Sequence, residues 1–142
     1  MDFLISSDVF EHVAPPISRA FTNARKLLKR NGKFILSVPY TLEEDTQEYF
    51  PDLYDYEIIN RDGRQVLLNR TRDHRLEEFS DLVFHGGEGE TLAMRTFSKN
   101  GLLANLREAG FADVRIMTEP CLPFGIYWPY QKSLPVIAKL NA

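Results

Sequence analysis

Only one cysteine, Cys121, stands in the whole chain. No internal disulfide can staple it, so a reducing setting such as the cytoplasm is expected. No apolar run approaches membrane-spanning length. Positive charge is not in excess either: 17 Lys and Arg stand against 20 Asp and Glu, a net charge of -3. That balance gives no electrostatic case for nucleic acid, which wants a basic face. The N-terminus carries Asp2 and no basic stretch, so no signal peptide is expected. Nothing repeats and nothing is of low complexity. With 44% hydrophobic and 26% charged residues over 142 positions, the chain has what one globular domain needs to bury a core.

What is there begins with Asp2 to Val13, DFLISSDVFEHV. Phe3, Leu4 and Ile5 form an apolar run that ends in two serines and an aspartate, with Glu11-His12 close behind. Residues 2 to 6 are therefore predicted as a short buried strand, apolar on both faces as in a parallel sheet. A buried strand that stops at small and acidic residues is how an open α/β sheet delivers polar groups to a ligand crevice. After Pro15-Pro16, which suits a helix start, the residues Ile17, Ala20, Phe21, Ala24, Leu27 and Leu28 share one helical face. Asn31-Gly32 is expected to end that helix in a left-handed turn. Lys33 to Val38 is a second apolar strand. Strand, helix and strand within ~35 residues make one right-handed crossover, so the two strands should be parallel neighbours. Tyr40 would then sit at the second strand's tip, facing the same crevice.

Residues 41 to 97 change character. Glu43, Glu44, Asp45 and Glu48 suggest an acidic loop. Tyr56 to Ile59 and Gln65 to Leu68 predict two strands about a turn at Arg61 to Arg64, and a third extended piece is expected from Leu82 to Gly87. This is an antiparallel insertion, placed where a lid or substrate-selecting element belongs. A second helix is predicted over Thr96 to Gly110. Ser98 is its N-cap, Phe97 and Leu102 form a staple across its start, and Gly110 ends it so that Phe111 packs back on Leu106. Val114 and Ile116 alternate with Asp113 and Arg115 in a strand. A proline-rich aromatic segment, Pro120 to Pro129, leads to a last apolar strand whose ladder begins after Pro135.

Taken together, SSDVFEHV, then LLKRNGKFILSVPY, then FSKNGLLANLREAGFADVRI resemble the C-terminal half of class I S-adenosylmethionine-dependent methyltransferases. The resemblance covers nearly the whole chain, with residues 41 to 97 its least typical part. It implies an α/β fold: one domain over 1–142 carrying part of a Rossmann-like sheet, parallel strands plus an antiparallel last strand inserted between its neighbours. It also implies S-adenosylmethionine as methyl donor and a small-molecule acceptor. The family's glycine-rich loop and the acidic residue that holds the ribose have no counterpart here. Gly86-Gly87-Glu88-Gly89 is glycine-rich but not between a strand and a helix. Weak cofactor binding by this chain alone, as from a truncated or split gene, is therefore expected.

The resemblance places Ser6, Ser7 and Asp8 beside the cofactor's methionine. For Glu11-His12 three roles stay open. The pair can remove the acceptor's proton, or simply order a polar turn. As a third role, Asp8-x-x-Glu11-His12 is similar to the Glu-x-x-Glu-His arrangement of ubiquinone-pathway O-methyltransferases, where a hard divalent cation such as magnesium is implied. Tyr40 is a further catalytic candidate, or a packing aromatic. His85 and Trp128 are substrate-side candidates, with structural roles as the plainer alternative; Tyr127 and Tyr130 can line the same pocket or cover the sheet edge. His74, among charged neighbours, is most simply a solvated turn, and Cys121 has no accompanying base. A non-catalytic module is the rival to the enzyme. Its opening strand would be an exposed sheet edge, prone to pair with a second copy or with a polypeptide supplying the N-terminal half.

Overall fold

The computed structural model describes residues 1–86, 90–130 and 132–140. The elements, in chain order, are β1 (Phe3–Ser7), α1 (Ser18–Leu27), β2 (Lys33–Ser37), β3 (Tyr40–Thr41), β4 (Gln47–Glu48), β5 (Asp55–Arg61), β6 (Arg64–Arg70) and β7 (Leu76–Phe79). There follow β8 (Phe84–His85), β9 (Thr91–Leu92), β10 (Arg95–Ser98), α2 (Lys99–Glu108), β11 (Asp113–Ile116) and β12 (Val136–Lys139). A 3₁₀ turn, Phe10–His12, follows β1, and another, Leu122–Phe124, lies between β11 and β12. No helix among the described residues is long and apolar enough to cross a membrane.

The main sheet runs β1-β2-β12-β11. β1 and β2 are parallel neighbours, from Phe3 opposite Lys33 to Ser7 opposite Ser37, and α1 is the crossover between them. β12 runs antiparallel to both β2 and β11, so the last strand inserts between its neighbours as expected. Its ladder begins at Val136, one residue past Pro135, whose ring leaves no N–H to give a partner. α1 and α2 cover one face of this sheet. Phe21, Ala24, Leu102, Leu106 and Phe111 close there on Phe34, Leu36, Val136 and Ala138. The α2 caps hold as predicted. Ser98 Oγ accepts from the Gly101 N–H, Gly110 turns left-handed at φ 95°, and the Phe111 N–H donates to the Leu106 carbonyl.

Several expectations are corrected. β1 is not buried on both faces: Phe3 and Ile5 are 57% and 70% exposed on the face the helices leave bare, while Leu4 packs inward. α1 stops at Leu27, and Gly32 is not left-handed; the chain extends at Leu28 and curls back. Gly32 is needed for close approach instead, since a Cβ there would sit 3.0 Å from the Leu28 side chain. Leu27 points outward, because the chain leaves the helix before that turn can meet the sheet. The α2 region begins as strand: Arg95–Ser98 pairs parallel with β3 and antiparallel with β4, so the acidic stretch before residue 49 ends in a paired strand. Residues that precede an N-cap are extended, and here that extension found partners.

The insertion is antiparallel, as expected. β5 and β6 pair from Asp55–Arg70 to Arg61–Arg64 about Asp62-Gly63, both at positive φ (53° and 80°), the backbone of a type I′ hairpin. After the expected turn around His74, β7 adds to β6 where no strand was predicted, and Phe84–His85 pairs with Thr91–Leu92. Of the extended piece predicted from Leu82 to Gly87, Phe84–His85 is strand, and Gly87, like Glu88 and Gly89, lies outside the described residues. A second core holds Phe50, Leu67, Leu92 and Met94, with Phe79 and Phe84 against them.

The two α1 and sheet positions separate cleanly in their expected cost. Phe34→Ala, which empties the centre of the first core, should lower stability by about 3–5 kcal/mol. Leu27→Ala should change it by no more than about 0.5 kcal/mol. Urea unfolding of both variants checks the pair.

Candidate functional site

The turn after β1 is held by one short segment, Leu92 to Arg95. The Met94 N–H donates to the Glu11 carbonyl at 2.8 Å. Arg95, 1% exposed, reaches under the turn: its Nη1 donates to the carbonyls of Phe10 (2.8 Å) and Val13 (2.7 Å). Its Nε donates to Glu48 Oε1 at 2.7 Å. The fourth tie is through a side chain, with His12 Nδ1 lying 2.8 Å from the Leu92 carbonyl. A carbonyl only accepts, so Nδ1 is the donor there, and the ring turns Nε2 the other way.

His12 Nε2 faces His85. His85 Nδ1 is 3.2 Å from His12 Nε2, with the two rings edge to face at 4.8 Å between centroids. Glu11 completes the group. Its Oε1 lies 3.8 Å from His12 Nε2 and 4.0 Å from His85 Nδ1. The residue is 1% exposed, and neither carboxylate oxygen has a hydrogen-bond partner. Burial pushes the Glu11 carboxyl above the usual carboxylate range, against smaller opposing pulls from its own backbone N–H and the nearby histidines. The three ligand-type atoms lie within 4.8 Å of one another, the arrangement in which side chains can hold a metal ion. Sequence reasoning singled out all three residues but did not bring His85 to the other two. Nothing in one sequence measures a distance across 73 positions.

Asp8 stands apart from this group. It is exposed, at φ 51°, and its carboxylate accepts from Ser7 Oγ at 3.1 Å, while Ser37 Oγ donates to Ser7 Oγ at 2.8 Å. The residues whose ligand-type atoms cluster are therefore Glu11, His12 and His85, and Asp8 is not among them. Ser6 Oγ is buried without a partner at the carboxyl end of β1. Tyr40 does not face an open crevice. It is buried in the first core, its hydroxyl accepting from the Leu134 N–H at 3.3 Å, and burial raises its phenol above the ordinary value. Trp128 packs on that core with its indole N–H buried and unpaired. Tyr127 and Tyr130 are exposed. A cleft of about 830 Å³ over the insertion sheet, lined by Tyr56, Leu68, Asn69 and Leu76 among others, shares no residue with the Glu11 group.

No family model matches the sequence, and no curated protein does. Solved structures do. An S-adenosylmethionine-dependent methyltransferase from Mesorhizobium loti matches 97% of this chain and 61% of its own at 14% identity, with a TM-score of 0.50. The 1,6-didemethyltoxoflavin N1-methyltransferase of Burkholderia thailandensis, bound to its substrate and S-adenosylhomocysteine, matches at 17% identity over 99% of this chain and 44% of its own (TM-score 0.48). A glycopeptide N-methyltransferase complexed with S-adenosylhomocysteine matches at 16%, over 97% and 53% (TM-score 0.45). The chain thus spans about half the length of these proteins. It shares its fold, a mixed α/β arrangement with parallel and antiparallel strands, with a stretch of the Mesorhizobium loti methyltransferase.

Two substitutions should move stability in opposite directions. Arg95→Met keeps the length but strands two carbonyls and a carboxylate, and should cost about 3–5 kcal/mol in urea unfolding. Glu11→Gln removes a buried, unpartnered negative charge. In chelator-treated protein at mildly alkaline pH it should raise stability by about 1 kcal/mol; a loss of stability would mean that the carboxylate has a partner in solution.

Proposed function

We propose that the chain is the acceptor-side portion of an S-adenosylmethionine-dependent methyltransferase acting on a small molecule. The observation that carries this is the strand order: a parallel pair β1-β2 continued by β12 antiparallel to β2 and β11, with the polar residues gathered at the carboxyl end of β1. In this reading the four strands are part of a Rossmann-like sheet, and residues 41 to 97 select the acceptor.

The cofactor supplies a methyl group activated on a sulfonium. The chain's own task is mostly placement, since in-line transfer gains most from holding the reactants aligned. Ser6, Ser7 and Asp8 border the donor's methionine end, and the unpartnered Ser6 hydroxyl is free to bond it. Glu11, His12 and His85 face the acceptor's nucleophile, and Trp128 borders it. Tyr40 supports the strand end from inside the core. The glycine-rich loop that would grip most of the cofactor is not in this sequence, so binding by this chain is weak and local. A cytoplasmic setting rests on the lone Cys121.

Amide chemical shifts followed by NMR during addition of S-adenosylhomocysteine test this. Saturable shifts gathered at Ser6 to Val9 and the Ser37 end of β2 are expected; none there, at any attainable concentration, would refute the reading.

A second reading has its own support. β1 is a sheet edge, and Phe3 and Ile5 lie exposed beside it. Unpaired, apolar edges recruit strands, so a non-catalytic role, pairing with a second copy or another polypeptide, is the alternative. Light scattering should then show a dimer that Ile5→Lys returns to a monomer. A wild-type monomer counts against pairing with a second copy.

A further inference from the structure

We propose that Glu11, His12 and His85 form a binding site for one divalent transition-metal ion, zinc being the type, with a fourth position open to water or to a ligand's oxygen or nitrogen. This goes beyond the methyl-transfer reading and does not depend on it.

The first support is the carboxylate. Glu11 is almost wholly buried, and both its oxygens lack partners while Oε1 looks toward two imidazole nitrogens. A buried charge is tolerated when it is paired or coordinates a metal. His12 Nε2, 3.8 Å away, is too far to give it a hydrogen bond.

The second support is the state of His12. Metal-ligating histidines donate their other ring N–H to a carbonyl or carboxylate, which fixes the ring and its tautomer. His12 Nδ1 does this to the Leu92 carbonyl at 2.8 Å, presenting Nε2 to the group.

The third is spacing. Metal–ligand bonds of about 2.0–2.2 Å at tetrahedral angles place ligand atoms about 3.4 Å apart. The three separations here are 3.2, 3.8 and 4.0 Å, so rotations of a few tenths of an ångström at the side-chain tips close the set. The His12–His85 contact would give way to two metal bonds.

The donor set chooses the metal. Two imidazoles and one carboxylate suit zinc, cobalt or iron(II), whereas magnesium keeps to oxygen ligands and water. With three protein ligands the ion keeps an open position, as in catalytic rather than structural zinc sites. Because His85 belongs to the insertion and Glu11-His12 to the turn after β1, a bound ion would tie the two together.

The test uses chelator-stripped protein and no cofactor, so it succeeds or fails independently of methyl transfer. Cobalt(II) added to the chain should produce the intense visible bands of a low-coordinate site, saturating at one ion per chain, and zinc(II) should abolish them while magnesium(II) leaves them. His85→Ala and Glu11→Gln, each shown by circular dichroism to be folded, should weaken cobalt binding at least about tenfold, given that even outer partners of a ligand are worth about 10–100-fold. His74→Ala, on an exposed turn, should leave it unchanged. Wild-type protein that gives no such bands, or a folded His85→Ala that binds cobalt as the wild type does, would overturn the assignment.

Discussion

The Arg95 guanidinium is the interaction on which the rest of the arrangement leans. It is buried, charged and shared: one nitrogen bonds the carbonyls of Phe10 and Val13 and another bonds the Glu48 carboxylate, while the plane lies 5.8 Å from the Phe97 ring. A buried ion pair gains little over apolar packing of the same volume. What this one secures is position. The turn after β1 has three carbonyls, those of Phe10, Glu11 and Val13, facing into protein, and each is met from the Met94-Arg95 segment. Without those donors the turn would keep its polar groups only by moving toward water, and Glu11 and His12 would move with it.

The same segment belongs to both cores. Met94 packs with Phe50, Leu67 and Leu92 in the insertion, while Phe97, two residues past Arg95, packs beneath α2 in the main core. The insertion is therefore more than a loop between β2 and α2. Ala93 N–H to Val83 carbonyl and Tyr49 N–H to Met94 carbonyl carry the connection outward to the β8 strand and to β4, and His85 on β8 arrives beside His12 as a consequence.

Periodicity and turn chemistry made the frame legible from sequence. Phe34-Ile35-Leu36 and Phe3-Leu4-Ile5 announced parallel strands, Pro135 marked where β12 could begin pairing, Asp62-Gly63 the hairpin, and Ser98 and Gly110 the ends of α2. These are local signals, each carried by neighbours in sequence. The order of the main sheet came through the family resemblance instead. What stayed hidden was set by distant contacts. An arginine ordinarily belongs to the surface, and nothing near Arg95 in sequence says that two carbonyls from residues 10 and 13 will bury it. Leu76 to Phe79 carried no strand signal because Glu77 and Glu78 break the apolar alternation, yet Glu78 pairs with Arg61 across the sheet and Glu77 accepts from Asn69. Leu27 and Ile5 fit apolar patterns but face outward, since pattern assigns a face and not what will cover it.

The candidate site combines a strained electrostatic choice with firm geometry. Burying Glu11 without a partner costs stability, and its carboxyl responds by becoming a weaker acid. A sequence free to minimise that cost would place an apolar residue or an amide there. The surrounding structure does the reverse: it spends a buried arginine and a backbone amide on holding the turn, and it uses the Leu92 carbonyl to fix the proton of His12 on the nitrogen that points away from Glu11. The Leu92 carbonyl thereby fixes the His12 ring with Nε2 toward Glu11 and His85, and the position of that carbonyl is set by the same strand segment that carries Arg95.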